Sequence, residues 1–277
     1  MQSIKKILIG IAFSPNLKPN IFEAIRMANM FGAQLVGVHV GEKTNKKQNQ
    51  LADLILEAPK LKYPIKTVWQ KGKPVDVILN TAVNEKIDLL VLGALQQENL
   101  YKYYVGSVAR ELTRKASCSV LLLIKPSVER VKCNHIVVNG LKDKRTTETI
   151  EASFLVSKAL ECKRITIVEE ISHKEIEVKV SDDYSLRKAN INKEKLKRRE
   201  DSRVNKILGN IRTDGISVKI QSIFGKRGYS IGHYAKVKRA DLLVMNAPSK
   251  TSILDRIFPH DIEYILTELP TDVLIVK

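Results

Sequence analysis

The chain has 277 residues, too many for one ordinary domain and enough for two that each bury a core, so two cores are expected. Its 47 Lys and Arg against 30 Asp and Glu give a formal charge of +17, enough to draw polyanions or acidic lipid surfaces, while 5% aromatic content and the lack of an RNA-binding signature argue against specific nucleic-acid recognition. No apolar run approaches the roughly 18 positions of a membrane span, Met1–Lys6 has no secretory pattern, and Cys118, Cys133 and Cys162 lack metal-ligand or disulfide spacing, so a cytoplasmic protein without structural zinc is expected.

Short β-branched and Leu-rich runs alternate with segments of helical length, the pattern of a parallel sheet with crossover helices. In chain order the first half predicts a strand over Lys6–Ala12, a helix over Pro19–Phe31, a strand over Leu35–Val40 and a helix over Gln48–Leu61. A strand over Ile65–Gln70, a helix over Pro74–Asn84, a strand over Leu89–Gly93, a helix over Ser107–Lys115 and a strand over Val120–Ile124 complete it. Pro74 suits a first helical turn, where its missing N–H costs nothing. Pro126 ends the last strand, and Lys125–Cys133 reads as a linker that divides the chain into domains 1–126 and 133–277.

The second half repeats the first. Gly72-Lys73 recurs as Gly225-Lys226, Asp88-Leu89-Leu90-Val91 as Asp241-Leu242-Leu243-Val244, and Ser119-Val120-Leu121 as Asp272-Val273-Leu274, each at an offset of 225 − 72 = 153. The opening strands, Ile7-Leu8-Ile9 and Ile136-Val137-Val138, match at 136 − 7 = 129 instead. The second half therefore carries 153 − 129 = 24 extra residues, which fall within 171–203, where Lys193–Arg199 is dense in charge. Such a run reads as a solvated helix face or loop, buries little, and is expected to be dispensable for folding. The final strand of each half would be an apolar sheet edge, so the halves are expected to cover each other there as an internal pseudo-dimer.

Taken together, the opening strand followed by Phe13-Ser14, the Gly72-Lys73-Pro74 turn, Asp88–Gly93, Gly106-Ser107 and the closing Ala116–Leu121 segment resemble the universal stress protein family, twice and over nearly the whole chain. The resemblance implies two tandem α/β domains, each a five-stranded parallel sheet of strand order 3-2-1-4-5 with helices on both faces. It also implies a non-enzymatic stress-response or regulatory role and an adenine nucleotide, ATP or AMP, as ligand. Nucleotide-binding members carry a glycine, two residues, a second glycine, nine residues, then Gly with Ser or Thr. Here Gly93, Gln96, Gly106 and Ser107 stand at those places, so the second glycine is lost. Such members also carry an Asp at the end of the first strand, where this chain has Ala12. Gly lets the backbone approach phosphate and helix-start N–H groups hold the anion, so the resemblance implies a first-half site formed by Ala12, Gly93, Gln96, Gly106 and Ser107. Gly106-Ser107 reads equally well as a turn and helix cap that needs no ligand.

In the second half, Asn246, Ser249, Pro259 and His260 replace the four motif residues, and Pro259 removes a backbone donor. That half is expected to be a structural or regulatory partner. The stretch Gly225–Gly232 lacks the Gly-Lys-Ser/Thr ending of a P-loop and reads as a turn into a helix. Tyr101, Tyr103 and Tyr104 would pack over the sheet end or stack on a base. Two other functions stay open: a basic adaptor binding nucleic acid or an acidic surface through Lys193–Arg199, and a nucleotide-hydrolysing enzyme on the same fold. Against the enzyme, the sequence shows no convergent carboxylates or His cluster, and the partner protein and the stress are not legible in it.

Overall fold

The computed structural model describes residues 3–96, 103–104, 106–176, 181–226, 228–247 and 261–277. In the first half the apolar runs form β1 (Lys6–Gly10), β2 (Gln34–Val40), β3 (Lys66–Gln70), β4 (Leu89–Gly93) and, after a short ribbon of β5 (Leu95–Gln96) and β6 (Tyr103–Tyr104), β7 (Ser119–Leu123). The crossovers are α1 (Leu17–Phe31), α2 (Asn45–Glu57), α3 (Pro74–Asn84) and α4 (Ser107–Lys115). In the second half β8 (Ile136–Asn139), α5 (Thr146–Ala159), β9 (Arg164–Ser172), α6 (Asp183–Leu208), β10 (Ser217–Gly225), α7 (Tyr229–Val237), β11 (Leu242–Asn246), α8 (Asp261–Glu268) and β12 (Asp272–Val276) repeat the order.

Two sequence expectations shift at their ends. The first strand stops at Gly10 rather than Ala12, because Ser14 N–H turns back onto the Ala12 carbonyl. The second helix runs over Asn45–Glu57 rather than Gln48–Leu61: the Thr44 hydroxyl caps it at Lys47 N–H, and Ala58, which precedes Pro59, leaves helical geometry.

The strands join in one ten-stranded sheet of order β10-β9-β8-β11-β12-β7-β4-β1-β2-β3. Each half therefore has the 3-2-1-4-5 order, and every pairing within this sheet is parallel except β7 with β12. Side chains alternate across the strands, so Ile7 and Ile9 face α1 while Leu8 faces α3 and α4. Two cores were expected, one per half; the structure instead has one apolar cluster on each face of the sheet, each running through both halves. The continuous sheet causes this, because the seam leaves no break for a separate core.

The seam shows the duplication directly. Leu121 pairs with Leu274, its own counterpart at the repeat offset (121 + 153 = 274), so a pseudo-twofold axis passes between them. On either side Ile124 N–H donates to the Asp272 carboxylate at 2.8 Å and Lys277 N–H donates to the Ser119 hydroxyl at 3.2 Å. Arg110 of α4 and Glu263 of α8 are also counterparts (110 + 153 = 263), and they form an ion pair of 2.7 Å. The repeated aspartate has a structural role as well. Asp88 accepts the N–H groups of Lys5 and Lys6, and Asp241 accepts those of Asn134 and His135, which fixes the start of the first strand of each half.

The extra length of the second half lies in its crossover helix: α6 has 26 residues against 13 in α2. An Asp182–Ser185 capping box starts it, and most of its first half is solvated. Its last third is not. Glu200 and Val204 are buried, and Arg203 pairs with buried Glu169 of β9 at 2.9 Å. The expectation that residues up to 203 are dispensable for folding is therefore corrected, since cutting there would strand a buried carboxylate.

Candidate functional site

β1 and β4 are neighbours, and the chain leaves β1 toward β2 but β4 toward β7. Their carboxyl ends form the topological switch point, where loops diverge and open a crevice. The crevice encloses about 540 Å³ and is lined by the 10–14 turn, Asn20, His39, Gly93 and the 106–109 helix start. Of the five residues expected at the site, Ala12, Gly93, Gly106 and Ser107 line this space. Gln96 lies in the short β5–β6 ribbon that follows β4.

Gly106 is the N-cap of α4 in extended geometry, and no side chain caps the helix. The N–H groups of Ser107, Val108 and Ala109 have no acceptor within the helix, so donors and the positive end of its dipole meet the crevice. Gly93 is required by close approach: a Cβ there would fall 2.8 Å from the Asn20 side-chain amide. The Asn20 Oδ1 atom is buried and accepts no hydrogen bond among the described residues. That leaves one oriented, unused acceptor in the crevice wall.

An aromatic wall closes the side toward β3. His39 lies edge-on to Phe13 and to Trp69, each at 5.0 Å between centroids. His39 Nδ1 is 2.9 Å from the Ile11 carbonyl, and Nε2 is 3.1 Å from Lys47 Nζ. The carbonyl can only accept, so Nδ1 donates and Nε2 accepts from the lysine. With both nitrogens engaged, the imidazole is held rather than poised for proton transfer. Lys47 also lies 5.6 Å from the Phe13 ring centroid, bringing a positive charge beside the crevice.

At the described positions of the second half, other side chains stand where the first-half crevice is lined. Leu141 stands where Ala12 does (12 + 129 = 141), and Asn246 stands where Gly93 does (93 + 153 = 246). Glu169 replaces His39, and burial pushes its carboxyl up to about 7 against the pull of Arg203. Burial also opposes ionisation of Glu200, but Arg203 and Arg199 overcome it and hold that carboxyl below its ordinary value. The Arg203 guanidinium bonds the Gly140 carbonyl at the end of β8, and a cavity of about 50 Å³ is left beside it.

The glycine-rich turn before α7 does bind an anion, and the anion is the chain's own. Glu170 accepts from Gly228 N–H at 2.8 Å and from Ile231 N–H at 2.7 Å. Tyr101, Ser249, Pro259 and His260, all singled out in the sequence, lie outside the described residues. Sequence reasoning missed Asn20, the aromatic wall and the Glu169–Arg203 pair. The strand register identifies the last of these: Trp69 pairs with His39, and Ser222, its counterpart at the repeat offset (69 + 153 = 222), pairs with Glu169.

Residues 3–123 match the model of the universal stress protein family. A universal stress protein of Methanocaldococcus jannaschii is 35% identical over 65 residues, a match that spans 24% of this chain and 38% of that relative. Across the whole chain the fold is similar to that of a functionally unknown protein of Pseudomonas aeruginosa PAO1, with a TM-score of 0.72, 16% identity, and coverage of 100% of this chain and 93% of the other. It is also similar to a universal stress protein of Archaeoglobus fulgidus, with a TM-score of 0.68, 14% identity, and coverage of 99% and 97%. No helix among the described residues is long and apolar enough to cross a membrane.

Proposed function

We propose that the first half holds an adenine nucleotide, ATP or AMP, in the β1–β4 crevice, and that the chain acts as a non-enzymatic stress-response regulator. In this reading residues 1–126 form the sensing domain, and 133–277 form a paired domain whose ligand site has been replaced by side chains. The observation that carries it is the α4 helix start: among the described residues the N–H groups of Ser107 and Val108 have no acceptor, and they border an open crevice of about 540 Å³. Phosphate would sit on those groups. Asn20 Oδ1 would accept from the nucleoside, and Phe13 would give it an apolar wall. Ala12 supplies no carboxylate, so affinity is expected to be roughly micromolar or poorer. The non-enzymatic reading is supported by the lining: no Asp or Glu borders the crevice among the described residues, and His39 is already bonded at both nitrogens.

Calorimetric titration of ATP and AMP into the wild type, Gly106→Val and Gln96→Gly tests this. Gly106→Val should abolish binding by blocking backbone approach, and Gln96→Gly should strengthen it. Binding unchanged by Gly106→Val would sink the assignment, and steady ATP turnover would replace the regulator with an enzyme.

A further inference from the structure

A second cavity, of about 450 Å³, lies at the seam between the halves, walled by α1, α5 and the linker. Most of its surface is apolar, from Met27, Phe31, Val156, Leu160, Leu121 and Leu274. Asp272, partly buried, also borders it. One carboxylate oxygen accepts the Ile124 N–H at 2.8 Å, and among the described residues no ion pair or second hydrogen bond engages Asp272. The charged and titratable groups around the cavity are Glu23 of α1, Asp241 ahead of β11, and Lys125, Lys132 and Cys133 of the linker. Glu23 is engaged by Arg26 and the Ser127 N–H, Asp241 by the N–H groups of Asn134 and His135, and Cys133 by Cys162, and Lys125 is engaged as well.

The seam does not need a carboxylate at position 272. Its symmetry mate, Ser119, makes the same strand-end contact with a neutral hydroxyl. An aspartate adds an oxygen and a charge that burial penalises, and the nearby Glu23 and Asp241 charges add to that penalty. Burial first, and those two carboxylates after it, raise Asp272 to about 7 despite the Ile124 N–H. A buried carboxylate facing a roomy apolar chamber is costly unless a positive group meets it. The chamber's size falls in the range of small-ligand pockets.

We propose that this cavity binds a small organic cation, an amine on an apolar alkyl or aryl body, with its ammonium group paired to Asp272 and its body against the Met27, Phe31 and Val156 walls.

The test uses phenylbutylamine, with phenylbutanol as the neutral and phenylbutyrate as the anionic counterpart, titrated into the full chain by calorimetry. At about pH 8 the amine should bind the wild type at least about tenfold more tightly than the alcohol, and the acid should not bind. At about pH 5.5 the advantage should vanish as Asp272 takes up its proton. Asp272→Asn keeps an acceptor for Ile124 N–H, and it should lose the preference for the amine while binding the alcohol as before. Met27→Trp should block both by filling the chamber. The proposal fails if the amine does not bind, if amine and alcohol bind the wild type equally at about pH 8, or if the preference survives in Asp272→Asn. The wild-type comparison decides the matter even if a variant does not fold.

Discussion

In the first half the carboxyl ends of β1 and β4 border a crevice of about 540 Å³, whereas among the described residues of the second half a cavity of about 50 Å³ lies beside Leu141, Glu169 and Arg203. Strand order is the same on both sides of the seam, so the difference arises from a few side chains. Ala12, Gly93 and His39 leave space and hold a ring in place; Leu141, Asn246 and Glu169 take up the space and call in an arginine from α6. An emptied ligand site leaves oriented donors and a cavity, both of which are costly inside a protein. The second half meets those costs with its own ions, which become part of its stability and no longer respond to a solute.

The sharpest way to break this contrast is Arg203→Met, which removes the cation while leaving Glu169 and Glu200 buried. At about pH 8 the cost should be roughly 3 kcal/mol in chemical unfolding. It should shrink at about pH 5.5. Glu169 is raised to about 7 by burial, so its contribution to stability is complete below its unfolded-state value and is lost as pH rises through about 7. Equal costs at the two pH values would show that Glu169 is not the group the arginine serves. Nucleotide affinity of the first half should not change.

A smaller effect is expected from moving a second-half residue into the first. Gly93→Asn copies Asn246 and sets a Cβ against Asn20, so ATP affinity should fall at least tenfold, about 1.4 kcal/mol. The reciprocal Asn246→Gly should not create a site, because Leu141 and Arg203 remain; ATP binding gained there would erase the distinction between the halves.

The smallest effect concerns the symmetric pair at the seam. Arg110→Glu places like charges across the pseudo-twofold axis and should cost about 1 kcal/mol, given partial exposure of the arginine. Glu263 also pairs with Arg114 at 2.6 Å, so the cycle uses Glu263→Ala; Arg110→Glu should cost less in that background, and an equal cost would mean the two side chains do not couple.

The architecture was legible because parallel strands buried on both faces leave continuous apolar runs, and two such series at fixed offsets identify a repeat. Gly93, Gly106 and Ala12 are placed differently, since the family resemblance implies both the strand order and the motif positions they occupy. The role of α6 was hidden. Its charge density suggests a solvated surface, and the partner of Arg203 lies in β9, 34 residues earlier, where no helical periodicity connects them. Asp272 was hidden differently: in the sequence it begins an ordinary strand, and only the antiparallel seam sets that acid against the cavity between the halves.

That seam also bears on synthesis. β7 finds its covering strand only in β12, which begins 272 − 123 = 149 residues later in the chain. At ribosomal speeds of about 5–20 residues per second, the first half spends roughly 7–30 s with a largely apolar edge, Ser119–Leu123, open to any other nascent strand. Chains translated side by side on one message could exchange β12 before it closes on its own β7, so the polysome is where domain-swapped pairs of this protein would arise.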